Sequence, residues 1–164
     1  MSRKKLSHTS RDGRARMVDV SAKPETERFA RAAGSIRMNA EAFSAIERNQ
    51  VAKGDVVSVA KVAGVMAAKR TAELIPLCHP LPLSDIKVDL MLDPELPGVR
   101  CESEVRTTAR TGVEMEELTP VAVTLLTIYD MAKSLDKTMQ ITQIELLEKA
   151  GGRSGHWRRI GDST

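Results

Sequence analysis

Two charged residues near the end of a long apolar segment are the first candidates for chemistry. Asp130 is the only charged side chain within residues 119–132, and Lys133 follows it by three positions. Residues three apart lie on the same face of a helix, so this carboxylate and ammonium group could contact each other. A solvated ion pair is the simpler interpretation. However, a charge in an apparently buried element usually needs a partner or a role, which makes the pair a candidate for proton transfer.

Two glutamates lie just before this apolar segment, where Glu114 and Glu116 bracket Met115. In an extended backbone, alternate side chains point the same way, so both carboxylates could face one site and raise one pKa. The competing interpretation is a helix N-terminus enriched in acidic residues, which the helix dipole favours. Composition alone favours this second interpretation.

A histidine occurs in a loop that is rich in proline. Pro76, Pro80 and Pro82 interrupt regular helix around Cys78-His79. An isolated histidine is more often structural than catalytic, although rigid loops between elements commonly carry functional residues. Both interpretations of His79 therefore stay open.

Basic residues flank the second predicted helix, with Lys53 before it and Lys69-Arg70 towards its end. Lysine and arginine suit a polyphosphate, but surface charge is the more common explanation. The segment 64–71 resembles a phosphate-binding P-loop only faintly. Ala68 stands where that motif needs glycine and Arg70 where it needs serine or threonine, so the P-loop is rejected.

The composition narrows the function classes. Only 2% of the 164 residues are aromatic, which leaves few stacking platforms for nucleic-acid bases. Much of the basic excess behind the net charge of +3 lies at the chain ends, and residues 1–16 are expected to form a disordered basic tail. No apolar run has signal-peptide or membrane-span length. Cys78 and Cys101 lack metal-type spacing, which favours reduced thiols in a cytoplasmic protein without a metal site.

Alternation and helical periodicity predict strands and helices in a definite order. The predicted strands are 28–38, 85–92, 99–106 and 139–147, the last with a β-bulge where its apolar phase shifts between Ile141 and Ile144. The predicted helices are one capped by Asn39, one over 56–74 opened by Gly54-Asp55, and one from Glu116 to about Leu135.

This order predicts the α+β class, namely a ferredoxin-like sandwich with a mostly antiparallel sheet and helices packed on one face. The chain is expected to form one domain over 17–155, followed by a flexible tail at 156–164. Apolar residues on more than one side of the two longer helices predict a homo-oligomer that covers them.

Six short motifs occur in order along the chain and carry more information together than singly. They are Met17-Val-Asp-Val-Ser-Ala-Lys23, Lys53-Gly-Asp-Val56, Ala68-Lys-Arg-Thr71, Leu74-Ile-Pro-Leu-Cys-His-Pro80, Thr111-Gly-Val-Glu-Met-Glu116 and Leu126-Thr-Ile-Tyr-Asp-Met-Ala-Lys133. Together they resemble the molybdenum cofactor biosynthesis protein C family over residues 17–155. Arg153 departs from that pattern, because relatives are expected to carry lysine there.

The resemblance implies conversion of 3′,8-cyclo-7,8-dihydro-GTP to cyclic pyranopterin monophosphate with release of pyrophosphate. It also implies a ferredoxin-like fold and a hexamer, a trimer of dimers with sites between subunits. No tightly bound cofactor, nucleic acid or membrane partner is expected, and Mg²⁺ could accompany the substrate phosphates.

The same resemblance assigns roles to residues of this chain. Asp130 and Lys133 would form the central acid–base pair, and Lys53 would assist proton transfer or phosphate binding. The residues expected to bind substrate are Leu77, Cys78, His79, Glu114, Met115, Glu116, Lys149 and Ser154. Lys69, Arg70 and Arg153 are candidates for contacts with the departing pyrophosphate.

Two other function classes compete with this interpretation. A nucleic-acid-binding module would explain the basic N-terminal arm, although the scarcity of aromatic residues speaks against it. A metal-dependent hydrolase could use Glu114, Glu116 and His79. The binding module predicts an affinity for nucleic acid that falls steeply with salt and does not change when Asp130 is replaced. The hydrolase predicts an activity that chelators abolish.

Overall fold

The computed structural model describes residues 14–160, which form strands and helices in alternating groups. The predicted disordered tail, residues 1–16, lies outside the described residues except for 14–16. The elements are β1 (Thr26–Arg37), α1 (Ala40–Glu47), α2 (Val56–Lys69), α3 (Thr71–Leu74), β2 (Leu83–Asp93), β3 (Gly98–Ala109), α4 (Glu114–Ala132), β4 (Gln140–Ala150) and β5 (Trp157–Arg158).

The strands form one antiparallel sheet with the order β2-β3-β1-β4-β5. Helix α4 packs on β1, β3 and β4, while α2 packs on β2 and on α4. The α+β class with an antiparallel sheet is therefore confirmed, as is the packing of helices on the sheet. The ferredoxin-like designation stays a prediction.

The core lies between α4 and the central strand β1. Four apolar residues at helical spacing in α4 are completely buried, namely Val121, Leu125, Ile128 and Ala132. Gly34 in β1 lets α4 approach closely, because a Cβ at this position would lie 2.8 Å from a Val121 methyl carbon and 2.9 Å from one of Leu125. The absence of a side chain at this point thus sets the distance between helix and sheet.

Helices α2 and α4 also meet at a glycine, Gly64 of α2. A Cβ on Gly64 would overlap the Thr124 hydroxyl oxygen, at 2.2 Å. That hydroxyl donates a hydrogen bond to the Ala60 carbonyl oxygen at 3.3 Å. The bond joins a side chain of α4 to the backbone of α2.

Local sequence signals for helix starts and strand pairing are confirmed. The Asn39 side chain accepts a hydrogen bond from the Ala42 amide at 2.8 Å, and Asp55 accepts one from the Ser58 amide at 3.0 Å. The strands predicted at 85–92 and 99–106 are confirmed as β2 and β3, which pair as an antiparallel hairpin with Leu90 opposite Cys101.

The predicted irregularity in the last long strand is confirmed at Gln143. The pairing of β1 with β4 shifts between Ala33 and Ser35, and Gln143 has a φ of 55°. A second shift occurs between Arg31 and Ala32. At this second shift, the Ala32 amide donates to the side chain of Glu117 from α4, at 3.2 Å.

Two helix boundaries differ from the prediction. The helix predicted over 56–74 breaks at Arg70, whose φ of −115° lies outside the helical range. The hydroxyl of Thr71 donates to the Ala67 and Ala68 carbonyls there, which also accept from the Arg70 amide at the end of α2. Helix α4 begins at Glu114 and ends at Ala132, instead of spanning 116–135.

Of the flexible tail predicted for 156–164, residues 161–164 lie outside the described residues, and the described part contains a short strand. Trp157–Arg158 forms β5 on the edge of β4, and the Arg159 amide donates to the Leu147 carbonyl at 2.8 Å. Unpaired groups on the edge of β4 provide the physical reason for this added strand. Among residues 14–160, no helix is long and apolar enough to cross a membrane.

Candidate active site

Asp130 is in contact with both lysines that the sequence associates with it. Its two carboxylate oxygens accept hydrogen bonds from different ammonium groups, Lys53 at 2.7 Å and Lys133 at 2.6 Å. Lys53 also donates to the backbone carbonyl of Asp130 at 2.9 Å. We call these three residues the aspartate–lysine cluster. The last turn of α4 supplies Asp130, the capping residue after that helix is Lys133, and the loop before α2 supplies Lys53.

The charges of this cluster stabilise one another. Hydrogen bonds from Lys133 and Lys53 lower the pKa of Asp130 to about 2. The hydrogen bond to Asp130 raises the pKa of Lys133. At neutral pH the cluster therefore holds a carboxylate that can accept a proton and a lysine ammonium that can donate one.

One expectation about Asp130 is wrong. Its interruption of an apolar segment suggested burial, yet its side chain is 56% exposed in the protomer. The reason is its position in the last helical turn, where the buried stripe continues through Ile128 and Ala132 on another face. The cluster is thus open to a ligand or to another protein surface.

A second group of predicted residues lines one cleft of about 540 Å³ at the opposite end of α4, which we call the histidine cleft. Its volume is in the range of small-molecule sites. The predicted substrate-binding residues that line it are Leu77, Cys78, His79, Glu114, Met115, Glu116, Lys149 and Ser154. The structure therefore brings together eight residues predicted from three separate parts of the sequence.

The two glutamates reach this cleft from a helix, which confirms the helix N-terminus that composition favoured over an extended backbone. Both lie in the first turn of α4. The Glu114 carboxylate folds back over Gly112, where a Cβ would lie 2.1 Å from its oxygen, and accepts a hydrogen bond from Lys149 at 2.5 Å. Burial, together with the negative charge of Glu114, raises the pKa of Glu116. Glu116 is therefore suited to hold a proton that it can donate.

The loop that carries His79 presents a thiol rather than a thiolate. Burial, and to a lesser extent the charge of Glu116, raises the pKa of Cys78. A cysteine whose thiol keeps its proton is a poor nucleophile. Cys78 is thus suited to contact a ligand and not to attack it.

The basic residues predicted to contact pyrophosphate, Lys69, Arg70 and Arg153, line two other clefts. Lys69 and Arg70 line a smaller cleft together with Glu116, and Arg70 forms an ion pair with Glu73 at 2.9 Å. Arg153 lies in a further cleft, formed by the start of β1, the turn before α4 and Gly151-Gly152 after β4. We call it the Gly-Gly cleft. It shares Lys149 and Ser154 with the histidine cleft, so the two are continuous.

The sequence did not identify three basic residues that line these clefts, Lys23, Arg28 and Arg110. One signal was present for Arg28. Alternate residues of a strand lie on the same face, so Arg28 shares a face of β1 with the buried Ala30 and Ala32. A charged residue on this otherwise apolar face was the signal. For Lys23, the only signal was its place in a motif that carried no assigned role.

The aspartate–lysine cluster and the histidine cleft are far apart in one protomer. Glu116 and Asp130 are separated by fourteen positions of the same helix, which corresponds to about 21 Å at 1.5 Å per residue. A small substrate cannot contact both groups within one chain. Within residues 14–160, no group of three histidine, cysteine or acidic side chains is arranged to hold a metal ion.

Comparison with known proteins gives a consistent result over nearly the whole chain. A protein named cyclic pyranopterin monophosphate synthase from Thermomicrobium roseum is 55% identical over 157 residues, which cover 96% of this chain and 95% of that protein. Proteins of the same name from Trichodesmium erythraeum and Cereibacter sphaeroides are 55% and 54% identical over 152 residues, covering 93% of this chain and 92% and 96% of theirs. The sequence model of the MoaC family matches residues 17–152. The chain therefore belongs to the MoaC family.

Proposed function

We propose that this protein is a cyclic pyranopterin monophosphate synthase of molybdenum cofactor biosynthesis. Its substrate is 3′,8-cyclo-7,8-dihydro-GTP, and its products are cyclic pyranopterin monophosphate and pyrophosphate. The observation that carries the proposal is the 55% identity to a synthase of that name over 96% of this chain. The aspartate–lysine cluster and the histidine cleft supply the groups that such a reaction needs.

The reaction couples ring rearrangement to the formation of a cyclic phosphate. Opening one ring of the purine and closing a pyrazine ring requires repeated proton transfers. Closure of the phosphate forms a bond between a substrate hydroxyl oxygen and the phosphorus nearest the sugar. The bond from this phosphorus to its bridging oxygen breaks, and pyrophosphate leaves. We assign the enzyme to the phosphorus–oxygen lyases on this basis.

The cluster suggests a division of roles. The Asp130 carboxylate accepts a proton and the Lys133 ammonium group donates one. In the free site their ion pair stabilises both charged forms, which makes each proton transfer harder. Lys53 holds the second carboxylate oxygen and is placed to contact the substrate. Exclusion of water by the bound substrate would bring the proton affinities of the carboxylate and the ammonium group closer together.

The histidine cleft would bind the part of the substrate that rearranges. Leu77, Cys78, His79 and Met115 are expected to contact it, and Glu116 is expected to donate a proton or hydrogen bond. Lys149 and Ser154 would contact phosphate, with Lys69 and Arg70 nearby. The chain needs no tightly bound cofactor in this scheme, and Mg²⁺ would arrive with the substrate phosphates.

We also propose that the active site forms between subunits of a homo-oligomer, a hexamer built as a trimer of dimers. The separation of about 21 Å along α4 supports this arrangement, because a neighbouring chain could bring its own cluster to the histidine cleft. Three apolar side chains on α2, Val59, Val62 and Met66, are 46–60% exposed in the protomer. A second subunit would cover this stripe.

Cellular location follows as part of the same proposal. Cys78 and Cys101 are both free thiols. Reduced cysteines support a cytoplasmic location.

The test is conversion of the cyclic GTP derivative by the purified oligomer, with pterin product and pyrophosphate followed together. Asp130→Asn and Lys133→Ala should each lose most of the turnover. The matched control is Lys61→Ala, which removes a lysine that pairs with Asp89 at 3.2 Å outside the cluster. No turnover by a folded wild-type oligomer would refute the assignment.

The competing functions are examined with the same preparations. Nucleic-acid binding that falls steeply with salt and is unchanged in Asp130→Asn would favour a binding module. Hydrolysis of the substrate that EDTA abolishes, with no pterin formed, would favour a metal-dependent hydrolase that uses Glu114, Glu116 and His79.

A further inference from the structure

Glu117 is a completely buried carboxyl group that the proposed reaction does not use. It follows Glu116 directly in the first turn of α4, and consecutive helical residues point about 100° apart. Glu116 lines the histidine cleft, whereas Glu117 contacts the sheet. A buried acidic residue needs a hydrogen-bonding partner or a role.

The sheet offers Glu117 two polar groups that lie opposite each other on neighbouring strands, since Ala32 of β1 pairs with Ser103 of β3. The Ala32 amide donates to one carboxyl oxygen of Glu117 at 3.2 Å, where the pairing of β1 with β4 shifts. The other carboxyl oxygen and the Ser103 hydroxyl are both buried and have no other hydrogen-bonding partner among the described residues. Ser103 is close enough to Glu117 to affect its pKa.

Burial makes the neutral acid the resident form of Glu117 at pH 7. It raises the pKa of this group to about 8, while Glu104 of β3 and Arg31 of β1 act on it in opposite directions. A neutral carboxyl group can accept a hydrogen bond through one oxygen and donate one through the other. Glu117 can therefore accept from Ala32 and donate to Ser103, which links α4 to two strands at once.

The start of α4 is otherwise held by weaker or less directional contacts. No side chain caps its first turn. Val113, just before the helix, packs in a small apolar cluster, but apolar contacts are non-directional and do not fix the rotation of a helix about its axis. The bond from Lys149 to Glu114 joins two partly exposed side chains. The bond to the Ala32 amide is buried and ends on the backbone of the sheet, so it restrains this rotation.

The rotation of this turn decides where Glu116 points. Glu116 is only 4% exposed and lines the histidine cleft beside Met115. A carboxyl group about 6 Å from the helix axis moves by about 1 Å when the helix rotates by about 10°. A misplacement of about 1 Å can lower the rate of an enzyme about a hundredfold.

We propose that Glu117 is a positioning residue, which ties the first turn of α4 to the Ala32–Ser103 pair and thereby holds Glu116 in place in the histidine cleft. This inference rests on the proposed function for the reaction that Glu116 serves. Glu117 acts through Glu116, because its own side chain is completely buried against the sheet.

The test is steady-state turnover of 3′,8-cyclo-7,8-dihydro-GTP by variant oligomers at equal concentrations of folded protein. Glu117→Ala should lower kcat about tenfold to a hundredfold and change KM much less, because a misplaced Glu116 impairs proton transfer while the phosphate contacts remain. Glu117→Gln should restore most of the turnover, since its amide can accept from Ala32 and donate to Ser103. If Glu117→Ala fails to fold, Glu117→Leu removes the same hydrogen bonds with less loss of volume.

Val121→Ala is the matched control for a purely structural role. Val121 is completely buried one turn further along the same helix, so its truncation lowers stability and keeps the bonds of Glu117. Its kcat should stay close to that of wild type. Amide hydrogen exchange of residues 114–118, measured without substrate, should accelerate more in Glu117→Ala than in Val121→Ala.

The outcomes for the positioning role and for the proposed reaction are separate. Wild-type kcat in folded Glu117→Ala, or equal losses in Glu117→Ala and Glu117→Gln, overturns the positioning role. Equal losses of kcat in Glu117→Ala and Val121→Ala also overturn it, because they would show a general effect of packing. Faster exchange of the first turn in Glu117→Ala, together with no turnover by wild type, supports the link between α4 and the sheet and refutes the proposed reaction.

Discussion

Glu117 should make the stability of this protein fall as the pH rises through the neutral range. Its side chain is completely buried between α4 and the sheet, where it accepts the hydrogen bond from the Ala32 amide. Burial raises its pKa from 4.5 to about 8, and neighbouring Arg31 and Glu104 have smaller effects of opposite sign. The folded protein therefore retains a proton on this carboxyl group that the unfolded chain releases.

The sign and size of the effect follow from this difference. Because the folded state binds more protons, its stabilisation is full below about pH 4.5 and is lost progressively up to about pH 8. Complete loss amounts to about 5 kcal/mol in the free energy of unfolding. Glu117→Gln keeps an acceptor for the Ala32 amide but cannot ionise. It should match wild type at pH 5 and exceed it by several kcal/mol at pH 9.

The assay is urea unfolding of wild type and Glu117→Gln between pH 5 and 9, at one fixed protein concentration, because an oligomer's stability depends on concentration. The quantity of interest is the difference between the two free energies of unfolding at each pH. Glu95→Gln, which alters an exposed turn residue, is the control and should show a difference near zero. Parallel curves for wild type and Glu117→Gln would show that the carboxyl group does not titrate as proposed, and would refute the reasoning.

Three further changes have definite expected results. Leu125→Ala should lower the free energy of unfolding by about 2–5 kcal/mol in urea titrations, because it opens a cavity under α4. Gly64→Ala should lower it by about 1–3 kcal/mol, because its Cβ would displace the Thr124 hydroxyl; an unchanged midpoint would contradict the described contact between α2 and α4. Lys53→Ala should raise the pKa of Asp130 from about 2 while keeping it below the ordinary value, since Lys133 remains, and carboxyl NMR titration measures this shift.

Local signals in the sequence predicted the framework well. Asn39 and Asp55 were identifiable as helix caps because their side chains satisfy backbone amides a few residues away. The hairpin of β2 and β3 was predictable because apolar and polar residues alternate along both strands. These features depend on short-range chemistry, which the sequence displays directly.

Features that depend on tertiary contacts were not predictable in the same way. Nothing near Arg70 marks the helix break, which Thr71 stabilises through its bonds to the preceding turn. The helical start at Glu114 has no side-chain cap, so its exact position was not predictable, although the acidic residues there indicated a helix N-terminus. The Gly-Gly cleft needs Arg28 and Gly152, which are far apart in sequence. The family resemblance supplied the candidate site residues, and the periodicity alone could not have done so.

The length of α4 has a genetic consequence. If each active site combines the histidine cleft of one subunit with the aspartate–lysine cluster of its neighbour, the two ends of α4 serve different sites. A chain with Asp130→Asn and a chain with Glu116→Gln would each be inactive alone. A mixed pair of them would contain one site with both defects and one with neither. Two damaged gene copies in the same cell could therefore restore each other's product, because each subunit contributes half of two catalytic centres.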